Sequence, residues 1–407
     1  MKKNLLIISL IPVFLAFGCG TDSEKSEVTV RIDDPVFIRH IADYNNDPAF
    51  MEVFTLARET YNPMTDEFLS VFMNKLTEIC PDCRLAAYFY TYDLSSLVNF
   101  EDDNLKYLEV IRAKTATAKA QAVEVLRQRL ENAGKQPGKF GGRVTATAEA
   151  TGAKDEYILT INRKPDPQRI REILETDARF EVWETYQLPE ILEYLIRIDA
   201  LIKDPSVAER IGIEPVSPEF GPGASLFRYL RPNISDTGEP LPECTIGYAS
   251  ITDTALVNRI FTLDDLSWFM PHDLRVMWDN RPAPENQETI RLVAVKINTR
   301  DRRSEITETD FLKAELGKGT DGWFVDFSLD PMTAGHKWAN LTAYNLDLQL
   351  ALTLNGTVMS TPLINDTITG NTIRIDGFST PEEAADIAVL LGSGYMPPFE
   401  VKVTDIK

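Results

Sequence analysis

Histidine is nearly missing from this sequence: His40, His272 and His336 are scattered through 407 residues. Neither they nor the four cysteines, Cys19, Cys80, Cys83 and Cys244, supply the two closely spaced ligand pairs of a zinc site. No phosphate-cradling glycine loop leads from a strand into a helix, and GPGAS at Gly221 is a lone glycine-proline loop. No nucleophile elbow is present either. No uninterrupted apolar run reaches the roughly 20 residues that a membrane-spanning helix needs. The run Leu5–Phe17 has 13 residues and is interrupted by Ser9 and Pro12. IAVLLGSGYMPPF, near the end, is broken by Gly392, Gly394, Pro397 and Pro398. Basic residues are in deficit, 42 against 62 acids, for a net charge of −20. Such a surface repels phosphate backbones and argues against nucleic acid as a partner.

What is there begins with an export signal: Lys2-Lys3, the short apolar run, then small residues. Ala16-Phe17-Gly18-Cys19 resembles a bacterial lipobox, in which the cysteine thiol receives diacylglycerol and becomes the new N-terminus. Ala16 stands where leucine is usual, and Phe17 is bulkier than the small residue usual there. Cleavage by an ordinary signal peptidase and an uncleaved helix are therefore the alternatives. The expected layout is a leader over 1–18, lipid on Cys19, and a polar tether over 19–27 (GTDSEKSE from residue 20). The remainder is expected to be soluble.

With Cys19 acylated three cysteines remain, an odd number that argues against a disulfide framework. Cys80-Pro81-Asp82-Cys83 follows the helical pattern DEFLSVFMNKLTEI, so it lies at a helix C-terminus, where the dipole disfavours a thiolate. It reads as a local disulfide or a plain turn rather than a redox centre. Glu382 and Glu383 sit in a first helical turn, where capping and the helix dipole explain them without acid–base work. His336 lies on a helix beside Trp338 and reads as packing or surface. Trp183, Trp268, Trp278, Trp323 and Trp338 read mostly as core, with one or two free to line a cleft for extended peptide. No catalytic, cofactor-binding or metal-binding residue is assigned.

Periodicity places a strand at VTVRID, helices at PAFMEVFTLARETY and TDEFLSVFMNKLTEI, and a strand at RLAAYFYTY. A helix from Thr115 carries Ala116, Ala120, Val123, Leu126 and Leu130 on one face and stops at Gly134. Strands RVTATAEA and EYILTIN, the helix DPQRIREILE and the strand ARFEVWETY follow. Residues 187–285 are rich in proline and glycine and read as irregular, with short helices TDTALVNRIF and LDDLSWFM. Beyond them come strands TIRLVAVKIN and GWFVDFSL, the helix PMTAGHKWANLTAYN, and a hairpin turning at Asn355-Gly356. The strand NTIRIDGF, a helix capped by Thr380-Pro381-Glu382-Glu383, and the strand FEVKVTDI complete the pattern. Strands and helices alternating in this way give α+β or α/β.

The last block resembles the head of the large first periplasmic domain of SecD, the accessory subunit of the bacterial Sec translocon. The resemblance rests on Asn355-Gly356, Ser360-Thr361-Pro362, Ile368-Thr369-Gly370, Gly377-Phe378-Ser379-Thr380 with Glu382-Glu383-Ala384, and Leu391-Gly392-Ser393-Gly394-Tyr395-Met396-Pro397. AVEVLRQRLENAG resembles the family's long helix, and FEVWETYQLPEILEYL a passage of SecDF fusions of the Bacteroidetes type. Where the family has Asp before the hairpin Gly this sequence has Asn355, and where it has Ala before Pro362 it has Thr361.

The resemblance implies an α+β fold: a ferredoxin-like base interrupted by an α+β head, with the final strand returning to the base. It apportions 28–186 to the base, 187–285 to the irregular region, 286–395 to the head and 396–407 to the returning strand. It also implies contact with preprotein emerging from the channel. The membrane helices through which SecD conducts protons have no counterpart among these residues, so no proton-driven stroke is expected of them. The expected function is a non-enzymatic, lipid-anchored, periplasm-facing domain that binds non-native or translocating polypeptide or Sec components and touches the membrane through its lipid alone. The alternative is a structural or interaction lipoprotein that kept the fold and binds another envelope protein or a small ligand. A polar groove between head and base would favour that alternative.

Overall fold

The computed structural model describes residues 25–136, 140, 142–213, 225–283, 286–298, 303–320 and 322–407. Cys19 and Gly221 lie outside them. The chain opens with β1 (Ser26–Asp33), whose Val28, Val30 and Ile32 alternate into the core. Helices α1 (Pro35–Ile41), α2 (Pro48–Thr60) and α3 (Phe68–Ile79) follow. The stretch RLAAYFYTY is not a strand. It forms the short helix α4 (Ala86–Phe89), with Phe89 N–H donating to the Leu85 carbonyl, and then turns. Leu85, Ala86 and Phe89 are buried at helical spacing, and a short apolar run carries too few residues for its period to separate strand from helix.

The long helix α5 (Asn104–Ala133) starts well before Thr115, at the Asp103 cap whose carboxylate accepts the Lys106 N–H. Its buried stripe also differs from the expected one. Tyr107, Ile111, Thr115, Ala118, Ala122, Leu126 and Leu130 face inward, while Ala116 and Ala120 are exposed. Alanines carry too little apolar weight to fix the phase of such a helix. Gly134 ends it in an ordinary αR conformation, and its lack of a Cβ is needed for space: a Cβ would come within 2.6 Å of the Val144 backbone.

Next come β2 (Ala146–Ala150), β3 (Glu156–Ile161) and α6 (Pro167–Glu175). The chain leaves the base through β4 (Phe180–Thr185) into α7 (Leu188–Leu201), α8 (Pro205–Ile211), α9 (Leu226–Tyr229), β5 (Leu230–Pro232) and β6 (Thr245–Ser250). Then follow α10 (Thr254–Thr262), α11 (Asp264–Ser267), β7 (Leu274–Ala283) and β8 (Asn286–Lys296). Between 187 and 285, where composition marks loops, these elements enclose their own core around Leu195, Ile198, Ile246, Ile260 and Leu292. LDDLSWFM is helical only over α11. The last stretch holds β9 (Ile306–Thr307), β10 (Phe311–Lys318), β11 (Trp323–Leu329), α12 (Ala334–Tyr344), β12 (Leu350–Leu354) and β13 (Thr357–Ser360). It ends with β14 (Thr372–Phe378), α13 (Pro381–Leu391) and β15 (Glu400–Ile406).

The fold is α+β. In the base the strand order is β15-β1-β3-β2, every pair antiparallel. Connected as β1-helices-β2-β3-α6-β15, this is the ferredoxin-like arrangement, interrupted after α6 by the head and closed by the returning strand. Val389, Phe399 and Val403 complete the base core from the far end of the chain. The head holds a second sheet, β10-β11-β14, packed on α12 and α13 around Val325, Phe327, Trp338 and Ile375. In the largest sheet β8 bonds to β6, β7 and β4, and β4, β12, β13 and β7 lead back to β8 in a closed ring. Trp183, Cys244, Met277, Val293, Val295, Ala351 and Val358 fill it. The neighbours Val182, Leu292 and Leu352 point outward into the flanking cores, so these strands are buried on both faces.

Candidate functional site

A cleft of about 380 Å³ opens where base and head meet. Its base wall is the end of α1 with Asp43 and Asn45, and the α4 segment with Tyr88, Tyr90, Thr91, Tyr92 and Asp93; Arg303 reaches in from the head. Two consecutive residues in the left-handed region, Asp43 (φ 53°) and Tyr44 (φ 50°), turn the chain after α1 and aim Asp43 and Asn45 at the opening. The Thr91 hydroxyl donates to the Ile41 carbonyl at 3.0 Å and ties the two base segments together. Across the cleft, the Arg303 guanidinium meets Asp93 at 2.6 Å.

His40 lies at the cleft's rim, edge-on to Tyr44 with ring centroids 5.6 Å apart. Burial lowers its pKa to about 4; Arg303 and Arg179 push the same way and Asp93 opposes them. The imidazole is therefore neutral near pH 7.

From Tyr90 the lining continues onto an exposed shelf. Tyr90 and Phe100 meet edge to face at 5.9 Å, and Arg84 stands over the Phe100 ring at 5.6 Å while donating to the carbonyls of Phe100 (2.7 Å) and Asp102 (2.9 Å). Tyr90 is 48 % exposed, Tyr92 71 %, Leu97 51 %, Phe100 49 % and Leu105 75 %. Scattered surface apolar residues need no explanation, but here five fall within one 90–105 segment, Tyr90 and Tyr92 on the cleft wall and Phe100 against Tyr90.

Behind the cleft, Glu308 is buried, and its carboxylate accepts the Phe180 N–H at 2.8 Å. Burial raises its pKa to about 7; backbone N–H donation and Arg179 work against the rise and Glu181 adds to it. Tyr395, on the returning chain, is pushed up to about 12, mainly by burial and also by Glu308 and Tyr44. A second cleft, about 370 Å³, holds Lys119 at 2.5 Å from both Asp34 and Asp155. Burial opposes the Lys119 charge, but the two carboxylates outweigh it and raise its pKa. With Arg112 paired to Glu67 at 2.7 Å, this cleft's charges are largely spent on one another.

The residues singled out in the sequence do not converge on either cleft, His40 excepted. Cys80 and Cys83 form a disulfide at the C-cap of α3, consistent with the expected place at a helix end. Cys244 is buried inside the strand ring of the largest sheet, which pushes its thiol up to about 11. His272, in the turn before β7, and His336, on α12, are both exposed. Glu383 accepts the Ser379 N–H while Thr380 accepts that of Glu383, which accounts for this acid by capping. Trp183 and Trp338 are core; Trp268 is 78 % exposed but lines neither cleft. Among the described residues no cluster of three or more His, Cys, Asp or Glu could hold a metal ion, and no helix is long and apolar enough to cross a membrane. The shelf was missed because RLAAYFYTY was read as a strand. The available signal was the spacing of Leu85, Ala86 and Phe89, which turns Tyr90 and Tyr92 outward.

Residues 292–398 match the family model described as SecDF, P1 head subdomain. SecD of Rhodothermus marinus is 23 % identical over 406 residues, covering 94 % of this chain and 61 % of the relative. The chain is SecD-like. SecD of Magnetococcus marinus is 25 % identical over 61 % of the chain and 48 % of its own length. SecDF of Thermus thermophilus reaches 39 % over 71 residues, 17 % of the chain and 10 % of that protein. A solved SecDF, described as a membrane component that enhances protein export, covers 72 % of this chain and 93 % of its own at 17 % identity, with a TM-score of 0.35. The SecD-like chain thus spans about three fifths of the Rhodothermus relative's length and about half of the Magnetococcus one. The P1-head match runs from β8 past α13 and includes both the Asn355-Gly356 turn and the Thr380 cap. These relatives are described as protein translocase subunits, and the family-model match is to their P1 head subdomain.

Proposed function

We propose that this chain is a lipid-anchored, periplasm-facing SecD-like domain, non-enzymatic, that holds extended non-native or translocating polypeptide at the junction of base and head. The observation that carries the reading is the exposed aromatic shelf of Tyr90, Tyr92 and Phe100, which continues the base wall of the cleft. Tyrosine offers a large apolar face and a hydroxyl at small conformational cost, which suits binding of many side chains in turn. Asp43, Asn45 and Thr91 offer partners for the amides of an extended chain.

The test is fluorescence anisotropy of the full chain with a labelled, permanently unfolded polypeptide. Binding should weaken about tenfold in Tyr92→Ala/Phe100→Ala, whose exposed positions leave the fold intact by circular dichroism. Unchanged binding would remove the cleft and shelf from the mechanism. The polar share of the lining, His40, Asp43, Asn45, Asp93 and Arg303, supports the second reading, an interaction lipoprotein with a small polar ligand or a folded envelope partner. Crosslinking from position 92 in the native envelope separates them: unfolded secretory chains or Sec subunits for the first, one folded partner or none for the second.

A further inference from the structure

The shelf has a charge pattern that its apolar content alone does not explain. Asp82 precedes Arg84 on the turn beside it, Glu101, Asp102 and Asp103 follow Phe100 directly, and Asp43 lies in the cleft. The guanidiniums that line the cleft and shelf, Arg303 and Arg84, are engaged: Arg84 by two carbonyls and, at 3.7 Å, by Glu101, and Arg303 by Asp93. Asp43, Asp82, Asp102 and Asp103 form no ion pair among the described residues. Two of the four are held rigidly, since the Asp102 carboxylate accepts the Asn99 N–H and that of Asp103 the Lys106 N–H, each at 2.8 Å. An apolar aromatic surface is therefore bordered by four carboxylates outside any ion pair, in a chain whose net charge is −20.

One contact within the chain already displays the matching chemistry. Arg84 lies over the Phe100 ring with its guanidinium bonded to backbone carbonyls and its charge facing Glu101. An incoming Lys or Arg could use Tyr90 or Tyr92 in the same way, with its apolar stem on the ring and its charge on Asp43 or Asp82. Charge complementarity of this kind adds selectivity and association rate to a contact whose affinity comes from apolar burial.

We infer that the shelf and cleft select extended segments in which aromatic or large apolar side chains alternate with lysine or arginine, and reject acidic segments of the same apolar content. The inference rests on the polypeptide reading above and names the class of segment. Its test uses the full chain and three synthetic peptides with identical apolar and aromatic positions, carrying lysine and arginine, serine, or glutamate between them. At low ionic strength the basic peptide should bind about tenfold more tightly than the acidic one, with serine between, and the gap should narrow toward 0.5 M salt, where the Debye length falls to about 4 Å. Asp82→Asn/Asp103→Asn should narrow the gap while leaving the serine peptide's affinity unchanged; asparagine at 103 keeps the side-chain oxygen that caps α5. Tyr92→Ala/Phe100→Ala should weaken all three. Equal binding of the basic and acidic peptides would overturn the inference and leave the polypeptide reading standing. Binding of none of the three would remove both.

Discussion

Asn355 shows how much one side chain can decide. Its φ of 53°, followed by 78° at Gly356, gives the tight hairpin turn that the Asn-Gly pair implies. Its amide does more than tolerate the turn. The Oδ1 accepts the Arg179 N–H at 2.9 Å and the Nδ2 donates to the Asp177 carbonyl at 2.9 Å, pinning the hairpin to the chain as it leaves the base. An aspartate there would keep the acceptor and lose the donor. Asn355→Asp should therefore lower the stability of the head by about 1 kcal/mol in urea unfolding, and a neutral substitution would show that this tie is not used.

Glu308 and His40 make a second pair of residue-scale predictions, with opposite signs. Glu308 is raised from 4.5 to about 7, so the folded state holds its proton more tightly; that stabilisation is full below 4.5 and lost as pH rises through 7. His40 is lowered from 6.5 to about 4, so its contribution is present above 6.5 and lost as pH falls through 4. Between about 4.5 and 6.5 the slopes of these two groups oppose each other. Glu308→Gln should uncover a stability that rises with pH across that window and remove a loss of about 3 kcal/mol between pH 4.5 and 8. His40→Gln should uncover the falling limb. Urea midpoints measured across pH would refute the assignment if either variant kept the wild-type profile.

At the scale of elements, α5 governs how the head is attached. Arg129, 1 % exposed, donates from Nη1 to the carbonyls of Ile173 (3.1 Å) and Thr176 (2.7 Å), closing the C-terminus of α6 just before the chain enters the head. Burial lowers its pKa to about 10, so it stays charged at neutral pH. One turn later Asn132 donates to Ser393 Oγ (2.9 Å) and the Gly392 carbonyl (3.3 Å), where the chain returns. Both crossings are thus fastened to one helix. Arg129→Met should cost about 1 to 2 kcal/mol by leaving the buried Ile173 carbonyl and the part-buried Thr176 carbonyl without their donor, and should raise amide exchange in α6 and β4 before the rest of the chain. Uniform exchange would refute that reading. The pattern marks α5 but starts its stripe on Ala116 and Ala120, because Thr115 and the buried Lys119 and Arg129 on the true face look polar until Asp34 at the cap of α1, Asp155 in the β2–β3 turn and the α6 carbonyls are in place.

At the scale of the whole molecule, the anchor on Cys19 stands as a proposal with a direct check. Metabolic labelling with a fatty acid should mark the chain, and Cys19→Ala should abolish the label and release the protein from the membrane fraction, since acyl chains would be its hold on the leaflet. An unlabelled wild type would favour the ordinary signal-peptidase alternative. The order of motifs from Asn355 to Pro397, together with the alternation in VTVRID and FEVKVTDI, determined the SecD-like head and the returning strand, because hairpin turns, caps and two-residue alternation are local and written in consecutive residues. Only the tertiary structure decided the strand ring through β4 and β8 and the cleft, because each joins residues distant in sequence, and the Cys80–Cys83 disulfide as against a plain turn, because Cys-x-x-Cys spacing fits both. Arg303 meets Asp93 across more than 200 positions, and no period or spacing in the sequence encodes a contact that depends on how two separately cored units come to rest against each other.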